Sequence, residues 1–309
     1  MHHLTVGVFH DAALGRELGK KGTESDIAMF NRKMDDCIFT FMSPVEDKLA
    51  PKSQIISTVD AAIVVFNEIS RELGETIVML DMRGLRQGIG ITTPYADRDK
   101  ITAITKDTSL KSFLIEEKDP GKLLQIMNQL RPERNNASQP IVEVDHSFSV
   151  KGVGEVILGF VKQGIVKKYD NLRLLPANKE VTVRSIQIQD EDYDQAEAGT
   201  RVGLAIKGAP VEEMPRGSVI TNSPDVNVAT DLKVPFKKSP FYSDEVKEST
   251  FHATIGMQTV PVTIIEKNQE FITLNFAKPV VLESGESIIL LDLNAKKTRV
   301  IGQGRSVSM

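Results

Sequence analysis

The residues closest to a phosphate-binding pattern are Gly15-Arg16-Glu17-Leu18-Gly19-Lys20-Lys21-Gly22-Thr23. A cradle of the form G-x-x-x-x-G-K-[ST] uses glycines to let backbone N–H groups converge on the anion, a lysine for the outer phosphates and a hydroxyl for magnesium. Here only three residues separate the first two glycines, and Lys21 stands where Ser or Thr is required. Lys20, Lys21 and Thr23 are the residues such a site would use; the simpler reading is a helix end with a glycine cap and a basic turn. His10 and Asp11 are adjacent, so they do not present side chains to one another, and no nucleophile accompanies them. Asp190-Glu191-Asp192 places three successive carboxylates in a hairpin, where they point different ways and read as a solvated loop. The single cysteine, Cys37, cannot form an internal disulfide or a multi-thiolate site and reads as a small buried hydrophobe. His146, alone at a strand end, reads as structural. No catalytic residue and no metal ligand is assigned.

The hydrophobic pattern predicts the elements that would position these residues. Leu4 to Phe9 and Cys37 to Met42 are strand-sized apolar runs. After Pro51, Ile55, Ile56 and Val59 share a helical face, and Ala61 to Phe66 reads as a buried strand. Ile69, Leu73, Ile77 and Leu80 form a helical stripe that stops at Gly84. Ile89 to Thr92 is the next strand, 97 to 108 a helix, and Phe113 to Glu116 a strand; Asp119-Pro120 then opens a helix carrying Leu123, Leu124, Met127 and Leu130. Strand and helix alternate about five times, the pattern of a mostly parallel sheet with helices on both faces.

Arg131 to Pro140 has two prolines and no apolar stripe, which marks a linker. Beyond it the runs are strand-length: Ile141 to Val144, Val156 to Val161, Leu172 to Leu175, Val181 to Ile188 and Val202 to Ile206. In Val181 to Ile188 the apolar alternation changes phase near Ser185, so a β-bulge there would return both halves to the core. Asn222-Ser223-Pro224-Asp225 marks a second boundary, followed by runs at Thr250 to Ile255, Val260 to Ile265, Phe271 to Phe276, Ile288 to Leu293 and Arg299 to Gly302. The 309 residues thus divide into an α/β domain over 1–135, an all-β barrel over 139–224 and a second all-β barrel over 232–309.

The net charge is −4, and the basic and acidic residues number 18 and 20 over 1–138, 10 and 12 over 139–224, and 10 and 8 over 232–309. That balance excludes a chain held on nucleic acid by phosphate attraction alone, and no DNA binding is expected. Lys237-Lys238 and Lys296-Lys297 read either as contacts to RNA phosphates or as exposed solubilising charge. No run approaches the ~18 apolar residues of a membrane span, and Met1 to Phe9 lacks a signal-peptide pattern. A soluble cytoplasmic protein with no membrane partner is expected.

Residues 141 to 220 carry a specific resemblance. Val144-Asp145-His146-Ser147-Phe148-Ser149-Val150-Lys151-Gly152-Val153-Gly154-Glu155-Val156, then Gly164-Ile165-Val166-Lys167, Leu174-Leu175-Pro176 and Val183-Arg184-Ser185-Ile186-Gln187, closely resemble domain 2 of translational GTPases. Ala198-Gly199-Thr200-Arg201-Val202-Gly203-Leu204 and Arg216-Gly217-Ser218-Val219-Ile220 continue the match. The nearest relatives are elongation factor Tu and especially archaeal SelB, the selenocysteine-specific factor. Phe251 to Pro261 resembles the start of the SelB-type third domain. The α/β domain then takes the place of the GTPase domain.

The resemblance makes the family's motifs testable in this chain. The D-x-x-G segment expected after Cys37 to Met42 reads Ser43-Pro44-Val45-Glu46, without the magnesium-linked Asp or the Gly whose N–H meets the γ-phosphate. The family's catalytic His after D-x-x-G has no counterpart. Guanine-reading N-K-x-D would follow Ile89 to Ile91, where Thr92-Thr93-Pro94-Tyr95 stands; Thr105-Lys106-Asp107 lies inside the predicted helix. Each lost charge-assisted contact weakens binding by about 1.5–3 kcal/mol, so tight GTP binding is not expected. The expectation is an elongation-factor body that has lost its nucleotide switch, needs no cofactor, and binds tRNA, the ribosome or another translation factor. Family domain 2 helps hold the aminoacyl end of tRNA and faces the small ribosomal subunit, which implicates Lys151, Arg184 and Arg201. The rivals are a factor binding GTP and magnesium through Lys20, Lys21, Thr23 and Lys106, and a protein-interaction scaffold outside translation.

Overall fold

The computed structural model describes residues 2–34, 36–94, 96–246, 249–268 and 270–307. Tyr95, singled out above, lies outside the described residues. The α/β domain runs β1 (His2–Phe9), α1 (Leu14–Leu18), β2 (Lys20–Glu24), β3 (Ile27–Lys33), β4 (Cys37–Pro44), α2 (Leu49–Thr58), β5 (Ala61–Phe66), α3 (Arg71–Arg83), β6 (Gly88–Thr92), α4 (Arg98–Thr105), β7 (Leu114–Glu116) and α5 (Pro120–Met127). The sheet order is β2-β3-β4-β1-β5-β6-β7. The five strands β4, β1, β5, β6 and β7 are parallel, and β2 and β3 add an antiparallel edge beside β4.

Alternation along β1 sets the two layers. Leu4, Val6 and Val8 share a core with Leu14 and Leu18 of α1 and Leu123, Leu124 and Met127 of α5. Gly7 faces the other way, where a Cβ would meet Phe9 and Ile55 of α2. Helix starts follow local hydrogen bonding: Ser70 accepts from the Leu73 N–H, Asp97 from that of Lys100, and Asp119 from those of Gly121 and Lys122 with Pro120 in the first turn. Gly84 closes α3 at φ 72°, a conformation that only glycine adopts without strain.

Two expectations for this domain are corrected. Lys20, Lys21 and Thr23 lie neither in a basic turn nor in a phosphate loop; they form the outermost strand, β2, antiparallel to β3, and Gly19 is extended at φ −153°. Ile69 is 51% exposed and precedes the cap of α3, so it is not part of that helix's buried stripe.

The first barrel contains β8 (Ile141–Val150), β9 (Gly154–Gln163), β10 (Ile165–Lys167), β11 (Asn171–Leu175), β12 (Lys179–Ile188), β13 (Glu191–Tyr193), β14 (Gln195–Glu197), β15 (Arg201–Lys207) and β16 (Val219–Thr221). Its order is β11-β16-β8-β9-β15-β12-β13, and pairing of β11 with β12 closes the ring. The register shifts between Val183 and Ser185, so Arg184 is the extra residue of the bulge, and Val181, Val183, Ile186 and Ile188 are all buried. The third region is a closed barrel of β17 (Val226–Lys238), β18 (Thr250–Ile255), β19 (Gln258–Lys267), β20 (Phe271–Glu283), β21 (Ser287–Leu291) and β22 (Val300–Arg305), in the order β17-β20-β19-β18-β21-β22. Strand pairing there begins at Val226, upstream of residue 232. The chain divides into two compact units: the residues up to Pro132 with Phe236–Thr254 and Ser287–Gly304, and Glu133–Pro235 with Ile255–Glu286 and the residues from Arg305.

Candidate functional site

In an open parallel sheet the ligand crevice lies beyond the carboxyl ends of the strands. Here the chain leaves β1 through His10, which is left-handed at φ 66°. Asp11 then turns its carboxylate onto the start of α1: Oδ1 accepts from the N–H of Ala13 at 2.9 Å and of Leu14 at 3.0 Å. Its Oδ2 takes a hydrogen bond from Lys118 Nζ at 2.8 Å, and the same ammonium donates to Glu17 Oε1 at 2.9 Å. Partial burial pushes the Asp11 carboxyl up, but the Lys118 hydrogen bond and the two amides outweigh it and hold the group below the usual carboxylate value. First-turn amides attract anions, and at α1 that place is taken by the chain's own carboxylate.

Beside this loop is a cavity of about 330 Å³, reached by Ser43 and Pro44 at the end of β4, by Val45 to Asp47 after it, and by Asn67 and Glu68 after β5. Lys52 of α2 lines it although only 1% of the residue is exposed. Its ammonium pairs with Asp47 and makes no hydrogen bond among the described residues. His10 Nε2 lies 2.9 Å from Thr76 Oγ1 of α3, and the Asn67 amide donates to the His10 carbonyl at 3.2 Å. Burial, and next the Lys52 charge, lower the His10 imidazole to about 4, so it is neutral at physiological pH. An adjoining hollow of about 300 Å³ shares Asn67, Glu68 and Leu73 and reaches Asp97 and Lys100. Asp97 is already bound to the Lys100 N–H at 3.1 Å and pairs with its ammonium at 3.1 Å.

The helices behind the crevice are pinned. In α2 even Lys52, Ser53 and Gln54 are buried, and Ser53 Oγ lies 2.7 Å from Thr254 Oγ1. In α3 the wholly buried Glu75 carboxylate accepts from Arg299 at three points, Nη2 at 2.6 Å, Nε at 3.0 Å and the backbone N–H at 2.9 Å.

The candidates from sequence do not converge. Lys21 pairs with Glu24 at 2.9 Å on β2, and neither Lys20, Lys21 nor Thr23 lines the crevice. Lys106 is the exposed cap of α4. In the first barrel Lys151 is exposed in the turn between β8 and β9, and Arg184 is exposed on the bulge. Arg201 is different: its Nε and Nη2 donate to Asp145 at 2.8 and 3.2 Å, and the guanidinium lies 5.9 Å from the Phe160 ring centre. Arg201 pairs opposite Phe160, whereas Arg184 opposes the Ala205–Ile206 end of the same strand. At ~3.3 Å per residue the register separates them by roughly 15 Å. His146 is exposed on β8, its ring 5.8 Å from Phe148. Among the described residues no three His, Cys, Asp or Glu side chains gather as a metal site. Sequence reasoning missed Lys52, Lys118 and the Glu75–Arg299 pair; the one local signal was Asp11 three residues before the first helical residue, close to an N-terminal capping pattern.

The α/β domain followed by two β-barrels is the body plan of SelB-type translation factors, and comparison with known proteins agrees. Residues 154–221 match the family elongation factor Tu domain 2. The chain is 38% identical over 309 residues to "Uncharacterized protein MJ0325" of Methanocaldococcus jannaschii, covering 99% of this chain and 100% of that one. It is also 35% identical over 164 residues to the selenocysteine-specific elongation factor of that organism, covering 52% of this chain and 35% of the factor. The crystal structure of SelB from Methanococcus maripaludis in complex with the GTP analogue GPPNHP superposes with a TM-score of 0.85 at 22% identity, covering 99% of this chain and 79% of that one. The chain belongs to one family with the Methanocaldococcus jannaschii protein and is homologous to translation factors of the SelB and elongation factor Tu type. No helix among the described residues is long and apolar enough to cross a membrane.

Proposed function

We propose that this chain is a translation-factor body that works without a nucleotide switch, binding tRNA, the ribosome or another translation factor through its barrels in one standing conformation. The observation that carries this is Asp11, whose carboxylate takes the first-turn amides of α1 while Lys118 neutralises it. A magnesium triphosphate does not fit these residues. It would have to displace that carboxylate and approach Asp11, Asp47 and Glu68, and Lys52, which lines this cavity, is already paired with Asp47. In a GTPase the γ-phosphate and its metal order the switch loops. Here Lys52 with Asp47 ties the loop after β4 to α2 instead, and α2 and α3 are held by Ser53–Thr254 and Glu75–Arg299. The rival that uses Lys20, Lys21 and Thr23 for GTP finds no support, since those residues form an edge strand away from the crevice.

The test is co-sedimentation with ribosomes and with bulk tRNA over a salt series, with and without GTP. Association that weakens steeply with salt and is indifferent to nucleotide is expected. Association that requires GTP would overturn the absence of a switch, and no association with either at low salt would overturn the translation role.

A further inference from the structure

Lys52, His10 and Glu68, which line the cavity beside β1, have bonding capacity that nothing among the described residues uses. The charge of Lys52 is balanced by Asp47, but its hydrogen bonding is not: the buried ammonium has three N–H groups and one carboxylate beside it. A buried cation with donors to spare calls for a further oxygen acceptor. At His10, Thr76 Oγ1 donates to the Glu72 carbonyl at 2.9 Å, so it accepts from the imidazole, whose proton sits on Nε2. That leaves Nδ1 with a lone pair and no partner among the described residues. Glu68 is exposed on the loop after β5 and makes no ion pair or hydrogen bond among the described residues. The neighbouring carboxylates are engaged, Asp11 with Lys118 at 2.8 Å and Glu46 with Lys48 at 2.7 Å.

One cavity therefore offers spare ammonium donors together with a free carboxylate and a free lone pair. A ligand that is only an anion would satisfy Lys52 and leave its charge facing Asp47 and Glu68. A ligand that is only a cation would satisfy Glu68 and Nδ1 and leave the Lys52 donors as they are. A small zwitterion meets both sets. The hollow of about 300 Å³ that shares Asn67, Glu68 and Leu73 continues from this polar end to Ile69 and Ile101. Ile69, exposed in the loop between β5 and α3, has an aliphatic side chain that nothing covers more than half. The zwitterion that uses both spaces carries an apolar body behind its charged head.

We propose that this crevice binds a free α-amino acid with an apolar side chain, its carboxylate on Lys52, its ammonium on Glu68 and His10 Nδ1, and its side chain along Ile69 and Leu73. The proposal goes beyond the function given above and does not depend on what the barrels bind. Calorimetric titration of the full-length chain with L-leucine, leucine methyl ester, isocaproate and L-alanine tests each part. Leucine is expected to bind. The ester lacks the carboxylate and isocaproate lacks the ammonium, so each should bind at least about 10-fold more weakly, the loss of one charge-assisted contact. Alanine should bind about 10-fold more weakly, because it leaves the hollow's apolar wall uncovered. Lys52→Met removes a buried group and can cost the fold, so the ester rather than that variant tests the carboxylate contact. Glu68→Gln, on an exposed loop, should weaken leucine about 10-fold and leave isocaproate unchanged. Ile69→Ser should weaken leucine about 3-fold and leave alanine unchanged. No leucine binding up to about 10 mM would overturn the site. So would an ester or isocaproate that binds as tightly as leucine, or a Glu68→Gln variant that binds leucine like wild type.

Discussion

In the first barrel the distinctive residues serve backbone and core, whereas in the crevice of the α/β domain they serve one another. Gly199 is at φ 91°, and a Cβ there would run into the Arg134 guanidinium; Arg184 is the inserted residue that keeps four apolar side chains inside; Arg201 neutralises the buried Asp145. None of these needs a ligand to make sense. In the crevice Asp11, Lys118, Lys52 and Asp47 are charged groups placed where a ligand would sit, each compensated from within the chain. A matching barrel therefore reports inherited scaffold, and what the molecule does has to be read from the crevice and the surfaces.

That contrast can be broken at several points. The largest effect is expected where α3 backs the crevice. Glu75→Ala leaves Arg299 partly buried without its carboxylate, and unfolding by denaturant should show a loss of about 3–5 kcal/mol. Within the barrel, Arg201→Ala strands the buried Asp145 and should cost about 3 kcal/mol, while Arg184→Ala on the exposed bulge should stay within about 0.5 kcal/mol. Equal effects would remove the distinction drawn between the two arginines.

The two regions should also respond to pH in opposite senses. The His10 imidazole is lowered to about 4, so below the unfolded value near 6.5 unfolding takes up a proton, and this group's contribution to stability falls as pH drops from about 6.5 to about 4. Glu143, buried in the first barrel and accepting the Met257 N–H at 2.8 Å, is pushed up to about 7 by burial against the pull of Lys162. Its contribution is present below the unfolded value near 4.5 and is lost as pH rises towards about 7. Stability measured between pH 4.5 and 6.5 should lose its rising component in His10→Gln and its falling component in Glu143→Gln, each at most about 1.4 kcal/mol per pH unit. Identical pH profiles for the two variants would contradict the assignment. A modest effect belongs to Asp11→Asn, which weakens the bond to Lys118 and the charge at the start of α1; solvent screening leaves about 1 kcal/mol at neutral pH. That difference should shrink once pH falls below the ordinary unfolded carboxylate value and vanish when the lowered Asp11 carboxyl of the folded protein is itself protonated.

Much of the fold was legible because burial imposes a period. The phase change at Ser185 located the bulge within a residue, and Asp119-Pro120 and Gly84 marked real helix ends. Strand β2 was invisible for the converse reason: Lys-Lys-Gly-Thr-Glu has no apolar residue to alternate, since an edge strand facing water needs none. Ile69 extended a helical stripe by coincidence of spacing and lies outside the helix. The crevice was legible only as a set of missing motifs. What fills it joins residues such as Asp11 and Lys118, which no local pattern connects, and a lysine three residues into α2 reads as surface until the fold buries it.

The central claim is that internal ion pairs have replaced the nucleotide, and calorimetric titration of the full-length chain with GTP and magnesium tests it most directly. The account predicts no binding heat at concentrations up to about 1 mM. A dissociation constant in the micromolar range, or release of phosphate from GTP, would contradict it.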